Sequence, residues 1–105
     1  MAEITRKELI LALVGADYPK LSGVDLAGLD MRGLHLERAS FIGADLSGAD
    51  LRGARLKLAR FQDADLSGAD LTGAELTKGM PQIQFAGAKL DRVKGLEFDE
   101  GEGEE

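Results

Sequence analysis

The chain has 105 residues, which points to a single domain with only a modest core. It contains no cysteine and one histidine, so a disulfide framework is excluded and no ligand set for a zinc site can be assembled. The formal charge of −6 is uneven: residues 1–20 hold three acids and three bases, 21–90 nine and eight, and 91–105 seven and two. A nearly neutral body with an acidic end and no basic stripe argues against direct nucleic-acid binding.

At the N-terminus, Thr5-Arg6-Lys7-Glu8 reads as a capping box, with Thr5 as N-cap and Glu8 at the third helical position. Leu9, Ile10, Leu13 and Val14 supply apolar residues, and Gly15 offers a stop. Residues 5–14 are therefore expected to form a short helix within a lead-in of residues 1–18, serving as a structural lid. The longest apolar run, Leu9 to Val14, is far too short to span a bilayer, and no cleavage-site pattern follows Met1. Without cysteines or a leader, a cytoplasmic location without membrane contact is expected.

From residue 19 the chain repeats every five residues. The centres are Leu21, Leu26, Met31, Leu36, Phe41, Leu46, Leu51, Leu56, Phe61, Leu66, Leu71 and Leu76, all large and apolar. Two residues before each centre, eight of twelve positions are alanine; two residues after, eight of twelve are glycine. A period of five forms no apolar face on an α-helix, because five residues turn about 500° and leave successive centres ~140° apart. On one continuous strand it would send successive centres to opposite faces. The pattern is satisfied by a short extended segment, its alanine and centre both pointing inward, followed by a turn in every unit. Glycine supplies the positive φ that such a turn needs.

These units, as in Ala44-Asp45-Leu46-Ser47-Gly48, resemble the pentapeptide-repeat family, whose unit reads roughly Ala-(Asp/Asn)-Leu-X-X. The resemblance covers Pro19 to Lys78 continuously and extends more loosely to about Val93. It implies an all-β solenoid: a right-handed quadrilateral parallel β-helix of about four coils, twenty residues per coil, here with a short N-terminal α-helical cap. The spacing of Phe41 and Phe61, the only aromatic centres of the regular run, agrees with that coil length. Alternating alanine with leucine or phenylalanine should fill the interior and leave no room for a ligand.

After Leu76 the frame slips. Phe85 and Leu90 resume the pattern, but nine residues rather than ten separate Leu76 from Phe85. Either four residues are inserted, restoring Phe85 to the side of Phe61 and Phe41, or one is deleted and Met80 is a centre. Pro81 suits a loop better than a ladder and favours the insertion. The repeat domain is accordingly read as residues 19–98, regular over 19–78, with an irregular loop at 79–82 and a last partial coil at 83–98. Residues 99–105 are read as a disordered acidic tail. Leu96 and Phe98 could cover the last coil or pair with a second copy, making a homodimer through the C-terminal end.

No chemistry stands out. His35 precedes a centre and should face solvent. The glycines belong to the repeat and form no phosphate-binding fingerprint, so neither an enzyme nor a cofactor is expected. With twenty residues per coil, Asp25, Asp45 and Asp65 stack on one face with no base among their neighbours. Asp30, Asp50 and Asp70 stack on the next face near Arg32 and Arg52, while Lys20, Ser40 and Arg60 form a more basic side. The leading expectation is a non-enzymatic protein-interaction or scaffold module, with the six aspartates as its candidate surface. Resemblance to family members that protect DNA gyrase from quinolones supplies the alternative, a DNA-mimicking binder of gyrase. Calcium bridging between stacked aspartates is chemically possible, but no dedicated loop supports it.

Overall fold

A computed structural model describes residues 2–14, 18–76 and 84–95. Helix α1 spans Arg6–Leu13. The Thr5 hydroxyl accepts from the Glu8 amide, and the Glu8 carboxylate accepts from the Thr5 amide, which satisfies two of the donors that a helix start leaves open. Leu9 is fully buried, and Ala2, Ile4 and Leu13 pack against the same core. Ile10 and Val14, expected on the apolar face, are exposed, because a helix this short turns only one narrow stripe toward the first coil. Gly15, the expected stop, lies outside the described residues; the helix closes with Val14 donating to the Leu11 carbonyl.

From Lys20 the chain winds into a four-sided parallel coil. Parallel bridges join Lys20 to Ser40 and Ser40 to Arg60; Asp25 to Asp45 and Asp45 to Asp65; Asp30 to Asp50 and Asp50 to Asp70; His35 to Arg55 and Arg55 to Glu75. Each step is twenty residues, so every fifth residue lies on the next side and every twentieth returns to the same side one level on. Between the first two levels each side is tied by three hydrogen bonds, of which Leu26 to the Asp45 carbonyl (2.7 Å), Gly28 to the Ser47 carbonyl (2.9 Å) and Asp45 back to the Val24 carbonyl (3.0 Å) are typical. Pairing among the described residues takes the form of isolated bridges, not long strands. The cause is the turn in every unit, which allows each side only a few paired residues before the direction changes.

That turn is made by the same residues throughout. The Ala49 amide donates to the Leu46 carbonyl (3.0 Å) around Gly48, whose φ is +69°, the signature of a type II turn. Where the repeat lacks glycine the backbone does not change: Arg38, Leu58, Asp63 and Arg92 hold φ values of 64°, 63°, 61° and 62°. The local conformation is therefore imposed by the ladder above and below, and not by glycine alone.

Inside the coil, each centre from Leu21 to Leu71 is buried, as is each alanine from Ala39 to Ala69. Phe41, Phe61 and Phe85 stack face to face, with centroids 5.0 Å apart at each step and rings within 6° of parallel. The register of the last level follows from this stack. Asp65 bridges Lys89 and Asp70 bridges Lys94, steps of twenty-four residues instead of twenty. Four extra residues have been accommodated between Leu76 and Gln84, as the insertion reading requires, while Met80, Pro81 and the loop itself lie outside the described residues.

Candidate functional site

The six aspartates occupy one position of the repeat, immediately before the centre, and they do the same local work. The Asp45 carboxylate accepts from the Ser47 amide (3.0 Å) and hydroxyl (2.6 Å), Asp65 from the Ser67 amide (3.0 Å), and Asp25 from the Ala27 amide (3.1 Å). Asp30, Asp50 and Asp70 accept in the same way from the amides of Arg32, Arg52 and Thr72. Each carboxylate bridges the corner two residues on, an Asx turn that holds the chain into its bend. This explains a consensus of aspartate or asparagine: the required feature is a short side-chain oxygen, which both residues carry.

The two aspartate faces differ in charge. On the face of Asp30, Asp50 and Asp70, carboxylates alternate with arginines. Arg6 from α1 reaches Asp30 (3.2 Å), Arg32 pairs with Asp30 (2.9 Å) and lies 3.8 Å from Asp50, and Arg52 pairs with Asp50 (2.7 Å) and lies 4.0 Å from Asp70. The Arg32 side chain, by hydrogen bonding to Asp30, holds that carboxyl well below the usual carboxylate range. Arg52 lowers Asp50 by the same means, and the Thr72 hydroxyl lowers Asp70. This face is a ladder of paired charges, not a row of free anions like a duplex backbone.

The face of Asp25, Asp45 and Asp65 carries no arginine, but its neighbours differ from the sequence expectation. Lys89 bridges Asp65 in the next level and lowers its pKa electrostatically, adding to the larger effect of hydrogen bonds from Ser67. Lys94 likewise follows Asp70. Neither lysine was named as a neighbour from the sequence, although the four-residue insertion favoured there sets the register that places both. Leu96 and Phe98, the candidate contact at the C-terminal end, lie outside the described residues. His35 is exposed and bridges Arg55 through its backbone.

A third surface has the opposite character. Lys20, Ser40 and Arg60 form its column, and Tyr18, Arg38 and Leu58 form the corner beside it. The Arg38 guanidinium carbon sits 5.9 Å from the centre of the Tyr18 ring. Two signals in the sequence locate this surface: a twenty-residue column of residues 18, 38 and 58, and two failures of glycine at the turn position. Among the described residues no cluster of three or more acidic or histidine side chains could hold a metal ion, and no helix is long and apolar enough to cross a membrane.

A filled, four-sided parallel coil with its variation confined to the outside defines a solenoid repeat protein. The chain belongs to the pentapeptide-repeat family, whose repeats match residues 20–57 and 54–78 in eight copies. Among solved structures, the chain is similar to HetL of the cyanobacterium Nostoc, a pentapeptide repeat protein involved in heterocyst differentiation regulation, at 32% identity over 71% of this chain and 33% of HetL, with a TM-score of 0.33. It is also similar to a pentapeptide repeat protein of the Arabidopsis thaliana thylakoid lumen, at 29% identity over 67% of this chain and 60% of that one, TM-score 0.38. A further pentapeptide repeat protein of Nostoc matches at 25% identity over 85% and 74% of the two chains, TM-score 0.32. The chain thus spans a third of the length of HetL and three fifths of the Arabidopsis protein. No curated protein sequence matches it.

Proposed function

We propose that the chain is a non-enzymatic interaction or scaffold module that binds a protein partner through an outer face. One observation carries this reading: the coil is filled along its axis by buried leucine, alanine and stacked phenylalanine, so the outside is the surface left for recognition. The helix closing the first coil and a stack of about four levels fit a rigid spacer with distinct sides. Each side presents a fixed column of side chains about 4.8 Å apart, a repeat set by parallel pairing. No observation favours the gyrase reading over this one.

Crosslinking and capture with the full chain test the proposal, using variants that change one face without disturbing the turns. Asp25→Asn/Asp45→Asn/Asp65→Asn removes one set of charges and keeps the Asx oxygens, whereas Arg32→Glu/Arg52→Glu reverses charge on the adjacent face. A partner lost with one variant and retained with the other is the expected result. Identical capture by wild type and every face variant, or capture of no partner at all, would overturn the reading.

A further inference from the structure

On the side of Asp30, Asp50 and Asp70, the arginines Arg6, Arg32 and Arg52 each have a carboxylate within 3.2 Å. On the opposite side of the coil, Lys20, Arg38 and Arg60 have none among the described residues. Those three cations line one open cleft of about 630 Å³ together with Tyr18, Ser40 and Leu58. The acids near them in sequence do not cancel their charge. Glu37 precedes Arg38, but Lys57 holds the same position one level on. Asp63 turns the far corner of this side, beyond Gln62. Asp17 lies outside the described residues, and its one charge set against the three cations still leaves two.

Arg38 and Leu58 also stand where the repeat favours glycine, at φ 64° and 63°. Left-handed backbone costs a residue with a Cβ free energy that glycine would not lose. The other described residues of this kind, Asp63 and Arg92, stand at other corners, whereas these two occupy successive levels of one corner and line the same cleft. Tyr18 begins that corner, with the Arg38 guanidinium carbon 5.9 Å from its ring centre. A guanidinium stacked on a ring keeps the donors along its edge for a carboxylate. Tyr18 and Leu58, each 52% exposed, add apolar surface on the levels before and after Arg38.

The backbone of this side has little to offer a ligand, because the amides of Leu21, Ser40, Phe41 and Arg60 are taken up by carbonyls of adjacent levels. Recognition therefore runs through side chains: three cations, a hydroxyl and two apolar groups. Their complement is a short extended segment that carries carboxylates and an apolar residue. Three levels ~4.8 Å apart span on the order of 10 Å, the length of about three extended residues. The side is itself roughly 10 Å wide, and the next side carries Asp25, Asp45 and Asp65. A nucleic-acid duplex or an anionic membrane would extend past the cations onto those carboxylates, whereas a short acidic peptide fits within the patch.

We propose that this cleft is a docking site for an acidic peptide segment of a partner protein. Its carboxylates pair with Lys20, Arg38 and Arg60, and an apolar side chain lies against Tyr18 and Leu58. The inference rests on the interaction-module reading and deepens it by naming the face and the chemistry of the partner. Arg38→Gly is an informative variant, since it removes a cation while restoring the glycine of the repeat, and so keeps the turn.

The probe is a synthetic peptide, Glu-Phe-Glu-Glu-Leu-Glu with both ends blocked, titrated into the isotope-labelled full chain and followed by amide chemical shifts. At low salt the amides of Tyr18, Lys20, Arg38, Leu58 and Arg60 are expected to shift together, with half-saturation below ~1 mM, and added salt should weaken binding. Arg38→Gly and Arg60→Gln should each weaken it, and the double variant by about tenfold. The same peptide with glutamine in place of glutamate should not bind. Shifts confined to other sides, an affinity unchanged in the double variant, or equal binding by the glutamine peptide would overturn the proposal. So would tighter binding of a short DNA duplex or of phosphatidylserine vesicles through the same residues, which would assign the face to another class of partner. A protein partner captured through an aspartate face, with no peptide bound here, would overturn this inference alone. Capture of no partner by any face, with no peptide bound, would overturn the module reading as well.

Discussion

At the scale of the residue, the repeat is a set of backbone problems solved by particular atoms. The aspartate before each centre supplies an oxygen to the amide two residues on. Asp65→Asn keeps that oxygen and should lose at neutral pH only the part of its stabilisation that depends on charge, whereas Asp65→Ala should cost about 1 kcal/mol more, the net value of one such hydrogen bond. Urea unfolding of the two variants checks this, and an equal loss in both would show that charge is the required feature. The glycine solves a different problem. An added Cβ at Gly48 meets nothing within 4 Å, so Gly48→Ala should cost about 1 kcal/mol from its positive φ alone. At Gly95, also at positive φ, a Cβ would run into the backbone of Thr72. Gly95→Ala should be the more damaging of the two, by about 1–3 kcal/mol beyond the first, comparable to overpacking.

At the scale of the element, the unit of stabilisation is the column. Phe61 lies between Phe41 and Phe85, so Phe61→Ala opens a gap bounded by rings on both sides and should cost about 3–5 kcal/mol. For a domain whose whole stability is on the order of 5–15 kcal/mol, that is a large share. Leu9→Ala should cost about 2–5 kcal/mol by uncovering the first coil. Thermal or urea melts of both variants test these values. The charged columns act through pH. The carboxyls of Asp30, Asp50, Asp65 and Asp70 all titrate below their unfolded value, so the native state holds their anions more strongly. Their stabilisation is complete above the unfolded pKa near ~4 and is lost as pH falls through the lower native values. The urea midpoint should hold steady down to about pH 5 from these groups and drop below about pH 4. In Asp50→Asn/Asp65→Asn/Asp70→Asn that drop should be shallower. The same slope in wild type and variant would remove these carboxyls as its cause.

At the scale of the whole molecule, each level touches only the levels beside it, and opening should begin at the ends. The amides of Leu46, Leu51 and Leu56 pair with the level above them in sequence, at 2.7–2.8 Å, in the middle of the stack. They should exchange with solvent most slowly, and the amides of Lys89 and Lys94 faster, by hydrogen exchange read residue by residue. Uniform protection along the chain would mean that the coil opens only as one unit. The same nearest-neighbour logic governs the outside. A residue twenty positions away shares a face, so a surface is a column in sequence, and a partner reading one side sees regularly spaced side chains.

Much of this was legible in the residues alone. Twelve centres at a spacing of five determined the inward positions, the turn in each unit and the solenoid class, because no straight element can bury that period. Thr5 and Glu8 determined the start of α1, because its capping is local. The tertiary structure decided what depends on register and on neighbours far apart in the chain. Between the two readings left open after Leu76, the structure decided for the favoured insertion, stacking Phe85 on Phe61 and setting Lys89 beside Asp65. Whether an aspartate stood free or paired was decided by what the adjacent level placed beside it, as Arg32 does for Asp50. The cleft at Tyr18, Arg38 and Leu58 is of this kind too: its residues are scattered by twenties in the sequence, and only the closing of the coil brings them to one corner. A local pattern specifies the path of the chain, but a face exists only once the coil has closed.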